Sequence, residues 1–113
     1  MFALKNLKLP AAPENLSRES RNLWRQLVRD FAIDDACGLS TLRVGLEAYD
    51  LMRTAGSQVE REGQTFTDRF GQPRPHPLLP VLRDARAQYL AALKQLNLDV
   101  IPANPRIGRP PGK

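Results

Sequence analysis

Cysteine, histidine and aromatic residues are all scarce in this chain. One cysteine, Cys37, and one histidine, His76, stand among 113 residues, and aromatics make up 6% of them. A single cysteine excludes an internal disulfide and a multi-cysteine zinc site, and it suits a reducing cytoplasm. A metal site needs several nitrogen, sulfur or oxygen ligands at defined spacing. One histidine and one cysteine are too few, no acidic cluster compensates, and no cofactor is expected. No apolar run approaches the roughly 20 residues of a membrane span, and the amino-terminal segment lacks the apolar core of a signal peptide. Acidic groups are also in short supply: 17 basic residues face 12 acidic ones, a net charge of +5. The resulting pI near 10.0 favours a polyanionic partner, most often nucleic acid.

Catalytic signatures are missing as well. A nucleophile–base pair would need Cys37 or a serine beside His76. Those residues fall on different elements, with no strand–turn–helix elbow and no glycine loop ahead of Lys-Ser/Thr. The chain therefore reads as a non-enzyme. His76 reads as a helix-entry residue, and Cys37 as a small residue near a helix start.

What is present is helical periodicity in one small domain. Residues 1–16 mix apolar and basic groups with Pro10 and Pro13, and read as an extended arm. Ser17 is a good helix N-cap with Glu19 in the first turn. Leu23, Leu27 and Phe31 then recur every four residues, with Trp24 and Val28 beside them, which predicts an amphipathic helix. Asp34 or Asp35 caps a second, long helix that runs to Glu62 and is stopped by Gly63. Two of its sides are apolar. One carries Leu39, Leu42, Leu46 and Tyr49; the other carries Val44, Ala48, Leu51, Met52, Ala55 and Val59. A helix apolar on two sides is normally sandwiched between neighbours, and in so short a chain one neighbour is expected to be another subunit. Leu42, Leu46, Tyr49, Met52 and Val59 are the expected interface residues.

Thr65, Phe66 and Thr67 favour a strand, and the glycine in Arg69-Phe70-Gly71-Gln72 favours a turn, so a short β-hairpin is expected. Pro73 and Pro75 confine its return strand to an edge. Pro77 fits the first position of a third helix, with Pro80 still in the first turn. Leu78, Leu82, Ala85, Tyr89, Leu93 and Leu96 line one face of it, and Asn97 is a fair stop. Residues 17–97 thus form a helical domain: helix, long helix, hairpin, helix, with the second and third helices packed antiparallel. Residues 98–113 form a basic, Pro/Gly-rich tail.

The charge is uneven. Residues 33–62 hold three basic and six acidic groups, a net −3, while residues 1–32 (six and three) and 63–97 (five and two) each carry +3. Two elements suit nucleic acid. Arg18, Arg21, Arg25 and Arg29 are spaced by three or four and fall within about 80° of arc on the first helix, a stripe suited to phosphate contacts or simply a solvated face. The tail offers Arg106, Arg109 and Lys113. Its Gly108-Arg109-Pro110 resembles an AT-hook core that inserts arginine into a narrow minor groove. Its flanks are less basic than that motif usually has, which favours a non-specific basic tail.

The order of these pieces is informative. Leu16-Ser17 with Trp24, then Glu62-Gly63 at the end of a long helix, then His76-Pro77-Leu78-Leu79 and Arg83-Asp84-Ala85, together resemble the bacteriophage terminase small subunits. The resemblance covers roughly residues 13–100 and rests on order and spacing, no single motif being specific. It implies a non-catalytic DNA-packaging factor that assembles as a ring, holds double-stranded viral DNA and regulates a large terminase subunit carrying ATPase and nuclease activity. It also implies action in the cytoplasm of the infected bacterial host, with no membrane. No motif of the family marks its DNA contacts, so the arginines named above stand on the stripe and tail alone. The alternative reading is an oligomeric helical adaptor whose basic flanks meet an acidic protein.

Overall fold

A computed structural model describes residues 9–98 of the chain. Their element order is α1 (Arg18–Phe31), α2 (Ala36–Glu62), strands β1 (Thr65–Thr67) and β2 (Pro73–Pro75), and α3 (Leu79–Gln95). The chain is mainly helical, in the expected order.

The caps explain where each helix begins and ends. Ser17 adopts an extended backbone, and its hydroxyl accepts the Ser20 N–H at 3.1 Å. At the other end of α1, Ala32 turns into the left-handed region at φ 54°, and the Ala32 and Ile33 N–H groups both reach the Val28 carbonyl. Val28 and Ile33 are buried together there, the apolar contact that accompanies this kind of stop. The Asp35 carboxylate accepts the Gly38 N–H at 2.9 Å and starts α2, whose 27 residues span about 40 Å before Gly63 ends it. At the end of α3, Asn97 takes φ 59°, the Asn97 N–H bonds Lys94 O, and the Leu98 N–H bonds Leu93 O. These two bonds satisfy carbonyls the helix would otherwise leave open.

The two strands pair antiparallel, with Thr65 opposite Pro75, Phe66 opposite Arg74 and Thr67 opposite Pro73. Prolines are tolerated because both strands of a two-stranded ribbon are edges. One expectation shifts by two residues. Pro77 does not open α3; the helix begins at Leu79, with Pro80 in its first turn. The cause is a turn closed over Pro77, in which the His76 ring takes the Leu78 N–H and the His76 carbonyl takes the Leu79 N–H.

Helices α2 and α3 pack antiparallel along their length. Gly45 meets Ala92, the Tyr49 and Tyr89 rings lie 5.0 Å apart, and Gly56 faces Leu82. The seam is built from small side chains: Ala48, Ala55, Ala85 and Ala92 are all buried. On the other side of α2, Leu42 and Leu46 join Leu16, Trp24, Val28 and Ile33 in the main core under α1. Both neighbours of α2 therefore come largely from the same chain. Leu42, Leu46 and Val59, expected at a subunit interface, lie in the chain's own interior, while Tyr49 and Met52 are half-buried. Periodicity says that a face needs a neighbour; it does not say which one. What remains open on α2 is Val44, 56% exposed, and Leu51, 48% exposed.

Residues 9–16 have no helix or strand, yet Leu16 is buried and the Pro10 carbonyl accepts the Trp24 indole N–H at 3.0 Å. The rest of the expected arm (residues 1–8) and the tail beyond residue 98, with Arg106, Arg109 and Lys113, lie outside the described residues.

A Cβ added at Gly45 would sit 2.6 Å from the Ala92 Cβ, whereas one at Gly56 would meet Leu82 at an ordinary 3.7 Å. Gly45→Ala should therefore lose about 1–3 kcal/mol to overpacking, offset only partly by a helix-propensity gain of up to about 1 kcal/mol. Gly56→Ala should keep that gain and raise stability. Urea unfolding of the pair checks this; a Gly45→Ala variant as stable as Gly56→Ala would contradict the close approach.

Candidate nucleic-acid interface

The side of α1 that packs is set by Ser20, Trp24 and Val28, all buried, with Leu23, Leu27 and Phe31 half-buried beside them. At 100° per residue this face is centred about 60° round from the Leu23/Leu27/Phe31 line, toward the arginines. The stripe thus flanks the packed face. Arg18, Arg25 and Arg29 are exposed and Arg21 is half-buried. Arg18 to Arg29 spans about 16 Å of helix, close to five base-pair steps of a DNA strand. Their intramolecular partners are weak. Arg21 donates to Glu14 O at 3.4 Å, Arg25 to the Asn22 amide oxygen at 2.8 Å, and Arg29 lies 3.7 Å from Asp30. Among the described residues Arg18 has no ion-pair partner. Exposed contacts of this kind are worth little, so redirecting these guanidiniums to phosphates costs little.

What holds α1 in place is a carboxylate on α2. Asp50 accepts the Ser17 N–H at 2.9 Å, the Ser17 hydroxyl at 2.6 Å and the Ser20 hydroxyl at 2.5 Å. Burial pushes the Asp50 carboxyl up, but the bonds from Ser17 and Ser20 outweigh it, and its pKa lies below the ordinary value. A second tie runs across three helices. The Tyr49 hydroxyl donates to Glu19 at 2.7 Å, Arg53 pairs with Glu19 and lies over the Tyr49 ring, and the Tyr89 ring lies tilted beside it. Half-burial raises the Tyr89 hydroxyl pKa.

Next to the start of α1, a polar cleft of about 490 Å³ is lined by Asn15, Ser17, Asp50, Arg53, Thr54, Ser57 and Arg61, among others. Sequence reasoning did not gather these residues; their i, i+4 and i+8 spacing on α2 was the available signal. It also missed a second basic line. Arg83, Arg86 and Lys94 are exposed on one side of α3 around the exposed Leu90. The Arg83-Asp84 contact at 3.1 Å is between neighbours in the chain and largely exposed.

His76 is a joint. Its Nδ1 accepts the Leu78 N–H at 3.0 Å, so the ring proton sits on Nε2 and is donated to Glu62 Oε1 at 2.6 Å. Its backbone N–H bonds Gln64 O at 2.8 Å. The His76 and Gln58 hydrogen bonds hold the Glu62 pKa below its ordinary value. The ring thereby links the end of α2, the hairpin and the start of α3. Cys37 is exposed in the first turn of α2, and Glu62 ends that helix. About 37 Å of helix separates the thiol from the histidine, too far for a nucleophile–base pair. Among the described residues, no three His, Cys, Asp or Glu side chains are grouped to hold a metal ion, and no helix is long and apolar enough to cross a membrane.

The family model described as "phage terminase, small subunit" matches residues 20–101, which takes in nearly all of α1, then α2, the hairpin and α3. The chain belongs to the phage terminase small-subunit family, whose role lies in viral genome packaging. Neither the curated proteins nor the solved structures contain a match to it.

Replacing Asp50 with Ala leaves the fully buried Ser20 hydroxyl without an acceptor. The expected cost is about 1–3 kcal/mol, seen as a fall in melting temperature at neutral pH. Because the Asp50 pKa is depressed in the folded state, its contribution is complete above the ordinary carboxylate pKa and is lost as pH falls through the lowered value. Thermal melts between about pH 7 and pH 3 should therefore show a shallower acid decline in Asp50→Ala than in the parent. Identical melting temperatures at pH 7 would refute the role given to this carboxylate.

Proposed function

We propose that this protein is a non-catalytic terminase small subunit that binds double-stranded viral DNA, assembles as a ring and acts with a large ATPase/nuclease subunit in the cytoplasm of the infected host. The observation that carries this reading is the family match across the helical domain. The basic surplus and the exposed arginines of α1 support its DNA-binding part. The Arg83, Arg86 and Lys94 line on α3 is a second phosphate-compatible surface, and Arg106, Arg109 and Lys113 add charge beyond the helices. Subunit contacts are assigned to the apolar groups left open, Val44 and Leu51 on α2, with half-buried Met52 at their margin.

DNA affinity should fall steeply with salt. Each of Arg18→Ala, Arg21→Ala, Arg25→Ala and Arg29→Ala should reduce the log–log salt slope by about one where that arginine meets a phosphate. Fluorescence anisotropy on a duplex, with light scattering in parallel, reads both properties. Unchanged binding by the quadruple variant would remove the α1 face. A monomer at micromolar concentration would count against the ring. Intact assemblies with no DNA retention at low salt would favour an adaptor for an acidic protein.

A further inference from the structure

We propose that Phe70, at the tip of the hairpin, is an intersubunit anchor that enters the apolar recess at the base of the hairpin on a second copy of this chain. The proposal rests on the homo-oligomeric reading above and names its contact.

The tip is built to present that ring. The Asp68 carboxylate accepts the Phe70 and Gln72 N–H groups on one oxygen, both at 2.9 Å, and Arg74 Nε on the other at 2.9 Å. The Asp68 N–H bonds Gln72 O and the Gly71 N–H bonds Asp68 O, with Gly71 at φ 78°. A three-residue loop closed by a glycine in the left-handed region is a favoured hairpin connection. So many bonds on one loop leave little conformational freedom to lose on binding, the main saving available to a preorganised anchor. Phe70 nevertheless lies 74% exposed, with the Arg69 guanidinium 5.2 Å from its centroid. All six residues of the two strands are exposed, so the hairpin covers no core that would explain its aromatics.

The same chain carries a socket. Gln58, Glu62, Phe66, His76, Pro77 and Leu78 line an open recess of about 470 Å³, more than an aromatic ring needs. A chain's own Phe70 does not reach it: the ring sits at the tip of the hairpin, beyond the end of β1 at Thr67, and folding back would break the Asp68 bonds. Charge fits as well. Arg69 flanks the knob and has no carboxylate partner among the described residues, while the Glu62 carboxylate stands at the socket, 51% exposed. One aromatic buries at most about 250 Å², below the roughly 1,200 Å² of a stable interface. Phe70 is therefore the anchor of a wider contact.

The test uses the full chain in three forms: the parent, Phe70→Ala without the knob, and Gln58→Trp with the socket filled. Circular dichroism first confirms that both variants melt as the parent does. Mass photometry and light scattering then read assembly. The expected result is that each variant alone dissociates at concentrations at least about tenfold higher than the parent. An equimolar mixture should form two-chain species, since it restores one knob to one open socket. A parent that assembles while Phe70→Ala assembles identically overturns the anchor and leaves the oligomer reading standing. So does a Phe70→Ala variant that loses only DNA affinity. A monomeric parent overturns both.

Discussion

Gly45 allows α2 and α3 to approach closer than any residue with a side chain would, and the rest of the structure follows from that approach. With Ala92 against the Gly45 backbone, the seam must be made of small groups, and Ala48, Ala55 and Ala85 supply them. A tight seam fixes the rotation of both helices. It brings Tyr89 onto Tyr49, turns Arg83, Arg86 and Lys94 outward, and leaves the Leu42/Leu46 side of α2 for α1. It also sets how far apart the two helix ends lie at the hairpin. There His76 closes the joint, one ring nitrogen facing the Leu78 N–H and the other the Glu62 carboxylate.

Polar ties then fix what the seam does not. α1 rests on α2 through the main apolar core, and Asp50 pins its start by taking three donors from the Ser17 cap and Ser20. The same carboxylate serves as cap support and as the partner of a buried hydroxyl. This burial is economical because no polar atom in it is left open: among the described residues no buried side-chain nitrogen or oxygen lacks a partner. The consequence for function is geometric. Residues 20, 24 and 28 point inward, and the arginines are carried to the flank of the helix, free of strong internal pairs. The proposed DNA face therefore depends on a carboxylate of another helix.

Much of this was legible in the sequence. Ser17, Asp35, Gly63 and Asn97 mark ends because each satisfies specific backbone groups, and such local chemistry survives any tertiary context. The hairpin was legible through Thr65-Phe66-Thr67 and the turn glycine. What was not legible depended on three-dimensional pairing. The two apolar sides of α2 were read as needing two neighbours, and within the chain α1 and α3 cover most of both, leaving Val44 and Leu51 open. Leu42 and Leu46 look the same in one dimension whether a second copy or α1 covers them. Asp50 is a single acidic residue among others until Ser17 and Ser20 are seen above it. The start of α3 moved past Pro77 because an imidazole took the N–H of Leu78, a contact that no propensity scale contains. The basic line on α3 was obscured because Asp84 and Leu90 interrupt it along the chain.

The proposed functions place different demands on different parts of the fold. Phosphate contacts tolerate mobile side chains, since a guanidinium can find an oxygen from several rotamers, and the α1 arginines are accordingly exposed and loosely held. A contact that must repeat identically from subunit to subunit tolerates little variation. If knob and socket meet at a fixed angle, small errors in that angle accumulate round a closed assembly. The hairpin is where the chain concentrates its constraints: the Asp68 bonds at the tip, the glycine turn, and the His76–Glu62 joint at the base. The Asp68 pKa is lowered by the backbone bond from Gln72 and the side-chain bond from Arg74, so the tip's ties are fully made at neutral pH. Such a ribbon is only marginally stable by itself. Its rigidity is better explained by a need for angular precision than by any contribution it makes to a core it does not touch.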